Sequence, residues 1–239
     1  MFNPFSLIFQ VLMLVHFFRT RPEGYWFFII IFFGPIGALI YFFVEVLPGF
    51  NWKAPPVFQR FERGRRKQWL ESMVAESPSV EAITELAQIR AAEGEDAAAV
   101  ELFDQALARD PEDWESHYGR GTVHLRMGEP LKAVEDLESV VKHDPGYKFY
   151  AAQLALAEAY EKAGDEDKAI AVYRTILART TVSQAYFHLG RLLHERGETE
   201  EARGLMREII SKQTGLPRYL RRQERPWVRQ ANAFLKGVK

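Results

Sequence analysis

Six histidines are the side chains best suited to chemistry in this chain of 239 residues, which contains no cysteine. Without cysteine, disulfides, thiolate nucleophiles and Cys-based metal sites are excluded. His188 and His194 are six residues apart and do not share a helical face. His117 and His124 can share one, but no carboxylate stands between them as a third metal ligand. Glycine-rich phosphate loops, nucleophile elbows and paired-carboxylate motifs are also missing, so the sequence predicts a non-enzyme without metal or cofactor.

The net charge of -1 conceals an uneven distribution of charge along the chain. Residues 80–147 carry six Lys or Arg against sixteen Asp or Glu, whereas residues 217–239 carry seven against one. Because no field of one sign covers the whole chain, we expect no nucleic-acid partner.

Two apolar stretches begin the chain. Residues 25–47 include one charge, Glu45, and as a helix would be about 35 Å long, enough to cross a bilayer. Residues 1–18 are less apolar, and a second span is preferred over an interfacial or re-entrant segment. Gly34, Gly37 and Ala38 share a helical face that allows close packing. The expectation is a transmembrane helical hairpin over residues 1–48, through which a homo-oligomer can also form.

The basic residues after the second stretch predict its orientation. Six of them follow it before residue 68, whereas the link between the stretches has only Arg19 and Arg21. The positive-inside rule then places the bulk of the chain in the cytoplasm, below the inner (plasma) membrane. Residues 49–79 are expected to form a basic juxtamembrane linker and helix that contacts anionic headgroups, or alternatively an extra helix packed before the region that follows. The proposed headgroup contacts are Arg60, Arg63, Arg65, Arg66 and Lys67.

Residues 1–50 combine a short helix, an arginine-containing link and an aromatic-rich stretch that includes GPIGALIYFF. They resemble the two-helix leader of cardiolipin synthases and related phospholipase D-type proteins. The enzymes of that family need His-x-Lys followed by Asp, twice, and no histidine here has lysine two positions later. The resemblance therefore implies a shared anchor without the chemistry. It also implies an alternative function, a non-catalytic regulatory subunit of a membrane lipid-synthesis enzyme.

Residues 80–216 contain four units with a period near 34 residues. Each unit has a glycine between two predicted helices and an alanine five residues later. The glycines are Gly94, Gly128, Gly164 and Gly197, and the alanines are Ala99, Ala133, Ala169 and Ala202. Glycine ends a helix in the left-handed conformation at no steric cost, and alanine lets two helices approach closely. The pattern resembles the tetratricopeptide repeat, which implies an all-α solenoid of about four helix pairs.

Two features border or interrupt this array. Two extra residues near Lys148 and Phe149 separate units two and three, so we expect a change of superhelix curvature there. Residues 217–239 place Trp227, Ala231 and Phe234 on one helical face, as expected of a basic capping helix over the last repeat. The alternative is binding of lipid headgroups or nucleic acid through Arg218, Arg221, Arg222, Arg225 and Arg229.

The resemblance also implies where a partner binds, because tetratricopeptide arrays hold protein segments on the concave surface lined by the first helix of each pair. The corresponding positions are Glu81, Thr84 and Gln88; Glu115, Tyr118, Thr122 and Arg126; Ala151, Leu154, Glu158, Glu161 and Lys162; and Gln184, Phe187, Arg191 and His194. Lysine and asparagine are absent where chaperone-binding members clamp a C-terminal carboxylate. We therefore expect a membrane-anchored scaffold or adaptor that binds an amphipathic segment through Tyr118, Leu154 and Phe187.

Overall fold

The computed structural model describes residues 4–20, 23–46 and 56–237, in which the regular elements are helices. The chain divides into two compact units, residues 1–62 and 63–239. The first three helices are α1 (Pro4–Thr20), α2 (Tyr25–Phe32) and α3 (Gly34–Tyr41), and α3 continues into a π-helical turn at Phe42–Val46. Helix α4 spans Pro56–Glu76. Residues 47–55 of the predicted linker lie outside the described residues.

The apolar N-terminal residues form shorter helices than predicted. Helix α1 has 17 residues and is about 26 Å long. The second stretch is interrupted at Phe33, which leaves the helical region, and at Gly34, whose φ is 57°. In the described part of the chain, none of the helices is both long and apolar enough to cross a membrane. The predicted multi-pass inner-membrane location is therefore wrong, and the predicted transmembrane hairpin is not supported.

Helix α1 packs against α2 and α3 through an apolar cluster with internal polar contacts. The buried members are Met13, Trp26, Ile30, Ala38, Tyr41 and Val46. The His16 Nδ1 atom lies 3.0 Å from the Tyr41 hydroxyl, and the Trp26 indole donates to Glu45 at 2.9 Å. These polar groups therefore have partners within the unit itself, as buried polar groups need.

Helix α4 packs on the first repeat. Leu70 is buried against Ala82 and Leu86. Arg66 and Lys67, expected at a membrane surface, form ion pairs with repeat one: Arg66–Glu85 (2.5 Å), Lys67–Glu93 (2.5 Å) and Lys67–Glu95 (2.9 Å). Arg63 and Arg65 are exposed, and the side chain of Arg60 lies outside the described residues. These contacts correspond to the alternative prediction of an extra helix before the repeats.

Four helix pairs follow, and they confirm the predicted all-α repeat array. They are α5 (Val80–Glu93) with α6 (Asp96–Arg109), α7 (Trp114–Met127) with α8 (Pro130–His143), α9 (Tyr147–Ala163) with α10 (Glu166–Leu177), and α11 (Ser183–Glu195) with α12 (Thr199–Ser211). The glycine after each first helix is left-handed, with φ of 82°, 77°, 82° and 87° in chain order. The four alanines are 0% exposed, as expected for the closest approach within each pair.

Large side chains fill the space between repeats, and a last helix covers the final one. Phe103, Leu137, Tyr173 and Met206 are completely buried. Helix α13 (Arg218–Gly237) buries Ala231 and packs Trp227 and Phe234 into the cluster around Met206. Because a terminal repeat would otherwise expose its apolar side, α13 replaces the missing neighbour.

A polar cluster lies between α7 and α8. Asp136 is 4% exposed and accepts hydrogen bonds from Arg120 at 2.9 and 2.6 Å. His117 places Nδ1 2.8 Å from Asp136 and Nε2 3.0 Å from the carbonyl of Pro111. Since both ring nitrogens face acceptors, the geometry fits an imidazolium that donates two hydrogen bonds. The bond to Asp136 raises the pKa of His117 above its ordinary value, although burial and Arg120 oppose the shift.

The raised pKa of His117 predicts that stability depends on pH. The stabilisation is complete below the unfolded pKa of 6.5 and is lost as pH rises through the folded pKa. We expect the free energy of unfolding of the wild type to fall over this range relative to a His117→Gln variant, by about 1.4 kcal/mol for each tenfold increase in proton affinity on folding. Urea denaturation at several pH values between 5.5 and 8.5 measures this difference. Parallel pH profiles for the two proteins would contradict the prediction.

Candidate functional site

The first helices of neighbouring pairs meet around Glu115, near the start of α7. The Gln88 amide of α5 donates to the Glu115 carboxylate at 2.6 Å, and the Tyr147 hydroxyl of α9 donates to it at 2.5 Å. The Lys148 ammonium forms an ion pair with the same carboxylate. Burial and the bond to Glu115 raise the pKa of Tyr147, so its hydroxyl stays protonated as a donor. Glu115 is therefore the polar centre where three first helices meet.

Two cavities lie beside Glu115. One has a volume of about 230 Å³ and is lined by Gln88, Phe103, Glu115, Tyr118, Thr122 and Lys148. The other measures 340 Å³ and is lined by Glu81, Thr84, Glu85, Gln88, Asp113 and Glu115. The structure thus brings the predicted residues Gln88, Tyr118 and Thr122 into one cavity, and Glu81 and Gln88 into the next.

A separate cavity in the last repeat has a volume of about 280 Å³. The separate cavity is lined by Thr181, Ser183, Ile209, Lys212 and Leu216. None of the predicted partner-contacting residues lines it, so it is not part of the candidate site.

Thr84, which was expected to face a partner, instead holds α5 against α7. Its hydroxyl donates to Asp113 at 2.8 Å and lies 2.8 Å from the Ser116 hydroxyl. Thr84 is 5% exposed and Ser116 is fully buried. Since these buried hydroxyls satisfy one another, they position the helices that carry Gln88 and Glu115.

Arg126 also joins neighbouring repeats. Its Nε atom lies 2.9 Å from a carboxylate oxygen of Asp96, at the start of α6, and its Nη2 atom donates to the carbonyl of Ala91 at 3.0 Å. The hydrogen bond from Arg126 lowers the pKa of Asp96. The predicted partner contact of Arg126 therefore competes with a contact inside the array.

The predicted residues of repeats three and four lie apart from Glu115. Leu154 is half-buried on the core, and Phe187 packs against Trp227 of α13 with ring centroids 5.8 Å apart. Four others form ion pairs: Glu158–Lys162 at 2.8 Å, Arg191–Glu195 at 2.8 Å and Arg191–Glu161. The structure groups Gln88, Tyr118 and Thr122, but it does not bring Leu154 and Phe187 into their cavity.

Tyr147 and Lys148 are functional candidates that the repeat pattern did not identify. Both reach Glu115 from the start of α9. The sequence signal that could have identified them is the pair of extra residues near Lys148. From the sequence, this insertion predicts only a change of superhelix curvature. Because a repeat consensus has no position for an insertion, the contacts of inserted residues cannot be carried over from it.

The histidines make structural contacts. His117 belongs to the Asp136 cluster, His124 Nδ1 lies 2.7 Å from Glu129, and the His188 ring stacks on Tyr173 with centroids 5.7 Å apart. Within residues 4–20, 23–46 and 56–237, no three His, Cys, Asp or Glu side chains are grouped to hold a metal ion.

Comparison with protein families and relatives adds to this geometry. A family model described as protein kinase G tetratricopeptide repeat matches residues 51–213. The match begins after the stretch that resembles a cardiolipin synthase leader, and the comparisons do not support that resemblance.

Two curated relatives are tetratricopeptide repeat and J domain-containing co-chaperones named DNJ1. The one from Fusarium oxysporum f. sp. lycopersici is 39% identical over 87 residues, which cover 36% of this chain and 16% of that protein. The one from Cryptococcus neoformans var. grubii is 34% identical over 92 residues, which cover 38% of this chain and 17% of that protein. The chain thus spans about a sixth of the length of these relatives.

Solved structures share the fold. MamA 41-end from Desulfovibrio magneticus RS-1 has a TM-score of 0.60 and 20% identity, over 64% of this chain and 87% of that one. YrrB, described as a TPR protein with an unusual peptide-binding site, has a TM-score of 0.58 and 17% identity, over 66% of this chain and 82% of that one. At these identities the likeness concerns the arrangement of helices alone.

Proposed function

The chain belongs to the protein kinase G tetratricopeptide repeat family, and from this premise we propose that it is an adaptor whose first helices bind a segment of another protein. The bound segment lies across α5, α7 and α9, at the two cavities beside Glu115, and extends along α9 to the half-buried Leu154. Half-buried apolar side chains supply affinity, and the polar groups around Glu115 set the register of the segment.

One observation carries this proposal. The half-buried ring of Tyr118 and the side chains of Gln88 and Thr122 line one cavity, next to a second cavity that contains Glu81. Binding sites for peptide segments combine an apolar anchor with a few placed polar groups, and this surface has both. The names of the relatives are consistent with it, since they include a co-chaperone and a TPR protein with a peptide-binding site.

Other expected functions depended on features that were not found. The regulatory-subunit alternative rested on the leader resemblance of residues 1–50, and the headgroup contacts and anchor-mediated homo-oligomer rested on a membrane hairpin. None of them is part of the proposal.

Selection of peptides tests the proposed function. Twelve-residue peptides selected from a random phage library against the full chain are expected to bind Thr122→Arg and Leu154→Arg variants at least about tenfold more weakly, because each arginine blocks or charges an apolar contact. Fluorescence anisotropy of labelled peptides measures the dissociation constants, and thermal melting checks that the variants fold.

The matched control is Leu131→Arg, which makes the same substitution at a leucine of α8 that is 71% exposed. This control is expected to bind the selected peptides like the wild type. The proposal is rejected if the peptides bind all three variants with wild-type affinity, or if Leu131→Arg weakens binding as much as the other two.

A further inference from the structure

The first residues of α9 have an unusual backbone. Lys148, Phe149 and Tyr150 have φ of 46°, 55° and 67°. Residues with a Cβ atom rarely adopt the left-handed conformation, and when they do it is as single residues rather than in runs. Phe149 is 94% exposed, so burial of its ring does not hold the turn in place. The contacts that hold it must come from its neighbours.

The neighbour that makes such contacts is Lys148, whose ammonium lies in a site suited to a cation. The Lys148 ammonium pairs with Glu115 and lies 4.7 Å from the ring centroid of Tyr118 and 5.5 Å from that of Tyr147. A carboxylate and two aromatic faces around one ammonium combine an ion pair with cation–π contacts. We call Glu115, Tyr118 and Tyr147 the ammonium site.

We propose that the ammonium site binds a lysine side chain of the partner segment, and that Lys148 occupies it until that lysine displaces it. This inference rests on the proposed function, because the site adjoins the cavity of Gln88 and Thr122 where the segment would lie. The chain's own lysine shows which chemistry the site accepts.

Charge complementarity favours a basic partner over an acidic or neutral one. The adjoining 340 Å³ cavity is lined by Glu81, Asp110 and Asp113, whereas its Glu85 is paired with Arg66. Residues 80–147 as a whole carry six basic against sixteen acidic residues. A segment with further basic residues beside its lysine would therefore be attracted along the same helices.

Displacement of Lys148 is feasible because its ammonium is accessible to solvent. Its side chain is 43% exposed, so a second ammonium can reach the same carboxylate and rings. A partner lysine would replace the same contacts one for one, and the released turn could leave its left-handed conformation. While Lys148 occupies the ammonium site, the apparent affinity for a partner is lower, because only molecules in which the site is vacant can bind the partner lysine.

The test uses a fluorescein-labelled twelve-residue peptide of alternating lysine and leucine, together with its fully Nε-acetylated form, and the full chain. A Lys148→Ala variant is expected to bind the lysine peptide about tenfold more tightly than the wild type, since the competing ammonium is removed. The acetylated peptide is expected to show no gain. Adding Glu115→Gln or Tyr118→Leu to Lys148→Ala is expected to abolish the gain, and thermal melting of each variant checks its folding.

The matched control is Lys142→Ala, which removes the same charge from an exposed position on α8. Its affinity for the lysine peptide is expected to stay within about twofold of the wild type. Absence of a gain in Lys148→Ala, an equal gain in Lys142→Ala, or an equal gain with the acetylated peptide would each overturn the inference. The proposed function would survive any of these results, provided that library-selected peptides still lose affinity in Leu154→Arg.

Discussion

Replacement of Asp136 by alanine is expected to lower the free energy of unfolding by about 3 kcal/mol, one of the two largest effects we predict. The carboxylate is almost completely buried and is held by Arg120 at 2.6 and 2.9 Å and by His117 at 2.8 Å. Its removal leaves the Arg120 cation and the His117 ring without their shared hydrogen-bond partner. Because the Arg120 and His117 side chains keep 23% and 17% exposure, we expect the lower end of the range known for broken buried pairs. Urea denaturation near neutral pH measures the loss.

Repeat one supplies a sharper comparison for this cluster. Residues 34 positions earlier in the chain are apolar: Ile83 corresponds to His117, Leu86 to Arg120 and Leu102 to Asp136. A triple variant with these apolar residues in repeat two is expected to recover most of the stability that Asp136→Ala loses, because well-packed apolar groups can replace a buried ionic cluster. Glu135→Ala, at the exposed neighbouring position, should change stability by less than about 0.5 kcal/mol. A triple variant as unstable as Asp136→Ala would show that the charges themselves are not the cause.

The second large effect is expected at the contact between repeats one and two. Phe103 is completely buried, and its replacement by alanine should cost about 3–5 kcal/mol through lost burial and the cavity left behind. Gly119 of α7 lies directly against the ring, since a Cβ atom there would stand 2.3 Å from Cζ. Gly119→Ala should therefore also destabilise the array, by about 1–3 kcal/mol, because the buried ring cannot move away freely. Urea denaturation of each variant gives both values.

The double variant tests the contact itself. With Phe103→Ala present, the methyl group of Gly119→Ala enters the vacated space. The double variant should therefore lose at least about 1 kcal/mol less stability than the sum of the losses in the two single variants. Gly204→Ala is the matched control, because a Cβ atom at this glycine of α12 meets nothing within 4 Å. It should stabilise the protein by up to about 1 kcal/mol, the difference in helix propensity. Strictly additive costs at Phe103 and Gly119 would contradict the packing that we describe.

The repeat array could be predicted from the sequence because its signals are local. Each glycine that ends a first helix has the left-handed φ expected of it, and each alanine that follows is fully buried. These properties depend on backbone conformation and on side-chain size within one helix pair. A period of about 34 residues repeats the same helix pair four times, so the pattern predicts the fold class.

The N-terminal prediction failed because hydropathy counts apolar residues without locating interruptions of the helix. The stretch that begins at residue 25 is divided at Phe33 and Gly34 into two α-helices of eight residues each, the second of which continues into a short π-helical turn. The membrane-surface prediction for the basic run of α4 failed for a similar reason, because Arg66 and Lys67 form ion pairs with carboxylates of repeat one. These partners are 19 to 28 residues away in sequence.

The sequence by itself determined the all-α repeat fold and the glycines that end the first helix of each pair, and it suggested which side chains lie on those first helices. Only the tertiary structure decided which of those side chains are available. It engages Thr84 and Arg126 in contacts between repeats, and it brings Lys148 onto Glu115 from an insertion outside the repeat pattern. Helix periodicity assigns a residue to a face, but whether that residue is free depends on the partners that folding brings to it from distant parts of the chain.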